Sequence, residues 1–178
     1  MLVVRAWPDH PPAGRPHIVD GWRRVIVDDY DYRGLAGVGD DVISLDWDTA
    51  VGDEDLRLFA GQAAASPGDV LVAPVRTYYG PKAGQWNLAD ADGNILGTGT
   101  PRAQVFGFGM VYLPARLLAA YTGQQPGVKL TDMWFASWHL DRVDPRGAAV
   151  CWAVRPVHLH YPAAISGTIR EDVTSNAA

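Results

Sequence analysis

Asp46 and Asp48 stand two residues apart at the end of the apolar run Ile43-Ser44-Leu45. Two carboxylates so placed can share a hard cation and the oxygen atoms of a diphosphate, because Mg²⁺ and Mn²⁺ accept an oxygen-rich shell. Open α/β sheets bind their ligands at that end of the strands. The same two acids would equally serve to open a loop. Asp28 and Asp29 close a second apolar run in the same way, either as acceptors for a base or ribose or as a solvated corner. His158 and His160 lie on Val157-His-Leu-His-Tyr, where a period of two turns both imidazoles to one face of a strand. One of them can complement the carboxylates of Asp46 and Asp48 around a metal, and a pair bonded to backbone fits the pattern as well. Asp132 opens a helical stretch, where the dipole keeps a carboxylate ionised and able to take a proton from a hydroxyl. Plain helix-start electrostatics accounts for it too. Arg76 and Arg155 flank strand ends, within reach of phosphates or of surface acids, and carry no assigned role.

These residues need a frame. Residues 2–6, 24–27, 42–45 and 70–75 are runs rich in Val, Ile and Leu and bounded by Asp, Gly or Pro, the pattern of buried strands. Continuous apolar runs of this kind predict a parallel sheet covered on both faces. Between the third and fourth runs, the segment from Asp53 carries acids in its first turn and sets Leu56, Phe59, Ala60 and Ala63 on one face. That is an amphipathic helix. The alternation predicts a single-domain α/β fold, a mainly parallel sheet flanked by helices. The first connection holds Pro8, Pro11, Pro12 and Pro16, which leaves room for a turn or two of helix at most, near Ile18 to Trp22. Residues 78–102 are polar and Gly-rich and read as a small hairpin insertion with its turn at Asp90-Ala-Asp-Gly-Asn. Phe106 to Tyr112 then alternates as a strand, Pro114 starts a helix that Gly123 ends, and Thr131 can cap another. Residues 149–154 and 157–161 are the last strand candidates. The domain is expected to span 1–167, with 168–178 a frayed tail.

An apolar fraction of 48% and a charged fraction of 20% are those of a soluble globular protein. The formal net charge of −5 argues against nucleic acid and anionic membranes as partners and favours a small polar substrate. No apolar run approaches the roughly 18 residues of a membrane span, and the first residues lack the apolar core of a signal peptide. Cys151 is the only cysteine and cannot form an intramolecular disulfide, so the expected compartment is cytoplasmic. Seven tryptophans supply aromatic faces for sugar rings or cations, although most should be core.

Taken in order, Val25-Ile-Val-Asp-Asp, Val42-Ile-Ser-Leu-Asp-Trp-Asp, Phe106-Gly-Phe-Gly-Met-Val-Tyr-Leu-Pro-Ala-Arg, Thr131-Asp-Met-Trp and Val157-His-Leu-His resemble the GT-A-fold glycosyltransferases. The likeness is to the family-two-like inverting members and runs over most of the chain. It implies a Rossmann-related domain that uses Mn²⁺ or Mg²⁺ to bind a nucleotide-sugar donor, UDP- or GDP-type, and moves the sugar to a hydroxyl acceptor. Under this resemblance Asp28 or Asp29 contacts the base, Asp46 the ribose, and Asp48 is the direct metal ligand, with His158 or His160 completing the shell. Gly107 and Gly109 shape the donor and acceptor side, Asp132 is the general base, and Trp134 or Trp138 stacks on the acceptor. Three departures stand out: the Pro-rich first crossover, Thr131 where an acid is usual, and a chain short for a complete transferase. They keep open a noncatalytic binding or structural protein that retains the fold. A metal-dependent hydrolase using the same carboxylates and histidines is a third reading.

Overall fold

Successive residues of a strand face opposite sides of a sheet, and here both sides are apolar. In β3 (Val42–Asp46) and β9 (Met110–Leu113), Val42, Val111 and Leu113 join one buried cluster, while Ile43, Leu45, Met110 and Tyr112 join another. The computed structural model describes residues 2–6, 23–28, 35, 37–46, 48–77, 83–121 and 132–158. Within them a seven-stranded sheet separates the two clusters. Helix α1 (Asp53–Ala65) covers one face with Leu56, Phe59, Ala60 and Ala63. Helices α2 (Ala115–Ala120) and α3 (Asp132–Arg142) cover the other through Leu117, Leu118, Phe135 and Ala136. Each side chain of Leu or Phe size that is fully buried contributes about 1.5–3 kcal/mol, so two-sided burial is the main force holding the three layers.

The remaining sheet strands are β1 (Leu2–Ala6), β2 (Arg24–Asp28), β5 (Leu71–Val72), β7 (Arg102–Ala103) and β10 (Ala148–Val150), in the order β2-β1-β3-β9-β5-β10-β7. The pairs β1–β2, β1–β3 and β5–β10 are parallel, whereas β3–β9, β5–β9 and β7–β10 are antiparallel. The fold is mixed α/β, and the expectation of a mainly parallel sheet is corrected accordingly. Five strands share one direction, and β9 and β7 run against them. The misreading has a physical source: burial on both faces makes a strand apolar throughout whichever way it runs, and β9 is buried at all four positions.

The insertion forms a small β unit. Strand β6 (Leu88–Ala89) pairs antiparallel with β8 (Val105–Phe106), and Asp90 to Asn94 makes the turn. Asp90 holds that turn by accepting the Asp92 and Asn94 amides at 3.0 and 2.9 Å, and Gly93 takes the left-handed φ of 83° it requires. Strands β4 (Thr49–Ala50) and β11 (Val157–His158) form a separate antiparallel ladder beside the end of β3. Behind the sheet, the Asp41 carboxylate accepts from the Tyr112 hydroxyl and from the Ala115 amide, both at 2.9 Å, so one acid anchors β9 and starts α2. No helix among the described residues is long and apolar enough to cross a membrane.

Candidate functional site

Strand direction decides what meets at the carboxyl edge. Asp46 ends β3 and is in register with Arg5 of β1, and Ala6 is in register with Asp28, so the backbones of Asp28 and Asp46 reach the same edge. Because β9 runs the other way, it begins where β3 ends. The Asp46 amide donates to the Gly109 carbonyl at 3.0 Å, which brings Gly107-Phe108-Gly109 to the acidic edge. A side chain at Gly109 would have no room: a Cβ there would stand 2.9 Å from Val75 Cγ2 and 3.4 Å from Thr49 Oγ1.

The short β4–β11 ladder supplies the histidine. Its register places His158 opposite Thr49, one residue past Asp48. His158 Nε2 lies 2.9 Å from Asp48 Oδ2, and each of the two side chains is 13% exposed, well shielded from bulk water. Burial alone would pull the imidazole pKa down. The hydrogen bond and charge of Asp48, the charge of Asp46 and a hydrogen bond with the Arg76 backbone outweigh it and raise the pKa above the ordinary histidine value. The Asp48 carboxylate thus orients the ring through Nε2.

In front of this pair is a cleft lined by Asp46, Val75, Arg76, Thr77, Asn87, Gly107, Phe108, Gly109 and His158. Its empty volume, open solvent at the mouth included, is about 380 Å³. Asp46, Gly107, Gly109 and His158 were legible in the sequence; Asn87 and Thr77 were not, since they sit in polar, Gly-rich chain without periodicity. Arg76 was visible only as a cation after a strand. It stacks 4.5 Å over the Trp86 ring and donates to the Gly84 carbonyl at 2.9 Å.

The other expected residues fall elsewhere or outside view. Asp132 is the first residue of α3, a helix that packs on β8. Trp134 stands on α3 with 59% of its surface exposed. Trp138, partly buried, packs against the core cluster with its ring centroid 4.9 Å from that of Tyr121 and 5.4 Å from that of Phe135. Asp29, His160, Thr131, the proline-rich connection and the tail lie outside the described residues. Among those residues no group of three His, Cys, Asp or Glu side chains forms a ready metal cage.

No protein-family model and no curated protein sequence matches this chain. Among solved structures, it is similar to the crystal structure of A197 from STIV, with 11% identity and a TM-score of 0.54 over 88% of this chain and 83% of that one. At that identity the likeness speaks for the fold alone.

Proposed function

We propose that this chain is a metal-dependent glycosyltransferase of GT-A type, moving a sugar from a UDP- or GDP-type donor to a hydroxyl acceptor with inversion. The observation that carries the reading is the shielded Asp48–His158 pair, 2.9 Å apart beside Asp46 at the carboxyl edge of the sheet. One carboxylate and one imidazole are too few to enclose a cation by themselves. They suit Mn²⁺ or Mg²⁺, which keep water and take the rest of their shell from substrate phosphates. The bound ion would supply neutralisation of the charge that develops on the departing diphosphate. Asp48 and His158 would hold it, the two side chains being 2.9 Å apart. Asp46 would accept from a ribose hydroxyl, and Asp28, whose backbone reaches the same edge, from the base. Gly107 and Gly109, in the lining of the cleft, would border the donor sugar, and Gly109 is kept small by Val75 and Thr49 packed against it. Asp132 at the start of α3 would take the acceptor proton, and the exposed Trp134 would offer the acceptor an aromatic face.

Thermal unfolding tests the reading. UDP or GDP at a hundred times Kd with Mn²⁺ should stabilise the protein by about 2.7 kcal/mol, a shift of several degrees, and neither should act with chelator present. Asp48→Ala should remove the effect. No shift with any nucleoside diphosphate and metal would overturn the proposal, and steady release of nucleotide from a donor without acceptor would point to a hydrolase.

A further inference from the structure

Asn87 ties three segments of the cleft together. Its amide donates to the Val75 carbonyl at 2.9 Å, its carbonyl accepts the Gly107 amide at 3.0 Å, and its side-chain Oδ1 accepts the Val75 amide at 2.9 Å. The last contact fixes the side chain without ambiguity. A backbone N–H can only donate, so the atom facing it must be the oxygen and the opposite arm must be the NH₂ group. Asn87 lines the cleft and, among the described residues, its side chain makes no hydrogen bond other than the one from Val75. Its Nδ2 is thus a neutral two-proton donor on a residue of the cleft lining, which also includes Asp46. The neighbouring guanidinium of Arg76 is already stacked on Trp86 and bonded to Gly84.

We propose that the Asn87 amide nitrogen donates to an oxygen of the sugar carried by the bound nucleotide, making Asn87 a specificity-determining residue that separates a nucleotide-sugar from the bare nucleotide. The inference rests on the glycosyltransferase reading. A fixed amide donor suits a hydroxyl-bearing ring, whose oxygens accept from Nδ2. Because Val75 and Gly107 clamp the residue, the donor is set before the ligand arrives, and no side-chain ordering is spent on contact.

Asn87→Asp separates the two jobs of this side chain. The carboxylate still accepts from the Val75 amide, so the melting temperature without ligand should stay close to wild type, but the ligand-facing donor is lost. Calorimetric titration with Mn²⁺ present would use UDP and UDP-glucose, and GDP and GDP-mannose. For whichever pair binds, Kd for the sugar form should rise about tenfold, equivalent to about 1.4 kcal/mol, while Kd for the bare nucleotide stays within about twofold. Asn87→Ala, which also gives up the Val75 contact, should melt lower yet show the same sugar-specific loss. Equal weakening of both members of a pair, or no weakening of either, would overturn the Asn87 role and leave the glycosyltransferase reading standing. If wild type binds none of the four, both fall.

Discussion

Among the described residues two histidines are withdrawn from solvent, and their surroundings drive them in opposite directions. His158, at the cleft, faces the Asp48 carboxylate at 2.9 Å and has a raised pKa. His139, 2% exposed on α3, packs among Phe106 and Phe135 with ring centroids 6.2 and 6.3 Å away. Burial there lowers its pKa, ahead of the weaker upward pull of Asp144, and its Nδ1 makes no hydrogen bond among the described residues. Both imidazoles follow an aromatic or apolar residue in the sequence, Trp138 for one and Val157 for the other. What separates a candidate ligand from a core filler is the carboxylate, and the carboxylate comes from 110 residues away.

The largest effect that would sharpen this contrast is removal of that partner. Asp48→Ala in metal-free protein should cost about 2 kcal/mol at pH 6, because it leaves a shielded imidazole without its acceptor. A raised histidine pKa contributes stability that is complete below the unfolded value near 6.5 and fades as pH rises through the folded value. The cost of Asp48→Ala, measured by denaturant melts with chelator, should therefore shrink by pH 9. An equal cost at both pH values would remove charge from the account of this pair.

His139 should behave inversely and more weakly. Its lowered pKa gives stability that is present above about pH 6.5 and lost as pH falls through the folded value, at up to about 1.4 kcal/mol per pH unit. His139→Leu should flatten that acid limb and gain about 1 kcal/mol at pH 5, since it replaces an unpaired buried nitrogen by a hydrocarbon. A variant as acid-sensitive as wild type would place the titrating group elsewhere. The smallest effect is Asp144→Asn. Asp144 is held below the ordinary carboxylate range mainly by the hydrogen bond from Arg146, whose side chain is 69% exposed, so the ion pair adds little to stability. Its charge nevertheless raises the His139 pKa, and the substitution should move the His139 NMR titration to lower pH while leaving His158 in place.

Much of the frame was readable. The runs at 2–6, 24–27 and 42–45 became β1, β2 and β3, and the acids at 53–55 start α1, because strand burial and helix electrostatics are local properties. Direction was not readable: nothing in Met-Val-Tyr-Leu says that β9 runs against β3, since that choice is made by which connections close around the core. For the same reason the cleft was half visible. Asp46, Asp48 and His158 announce themselves by residue type and strand position. Asn87 matters through the direction its amide points, and that orientation is set by Val75, 12 positions earlier.

Among the described residues, the ladder that delivers His158 pairs Val157 with Ala50 and His158 with Thr49. Side chains alternate across a strand, so a slip of one position would turn the imidazole to the other face and present a neighbour in its place. Small ladders outside a central sheet can open locally, at a free energy below that of the whole domain. If this one does, amide hydrogen exchange at β4 and β11 would be faster than in the central sheet, and a folded chain and an assembled Asp48–His158 pair would be two separate populations.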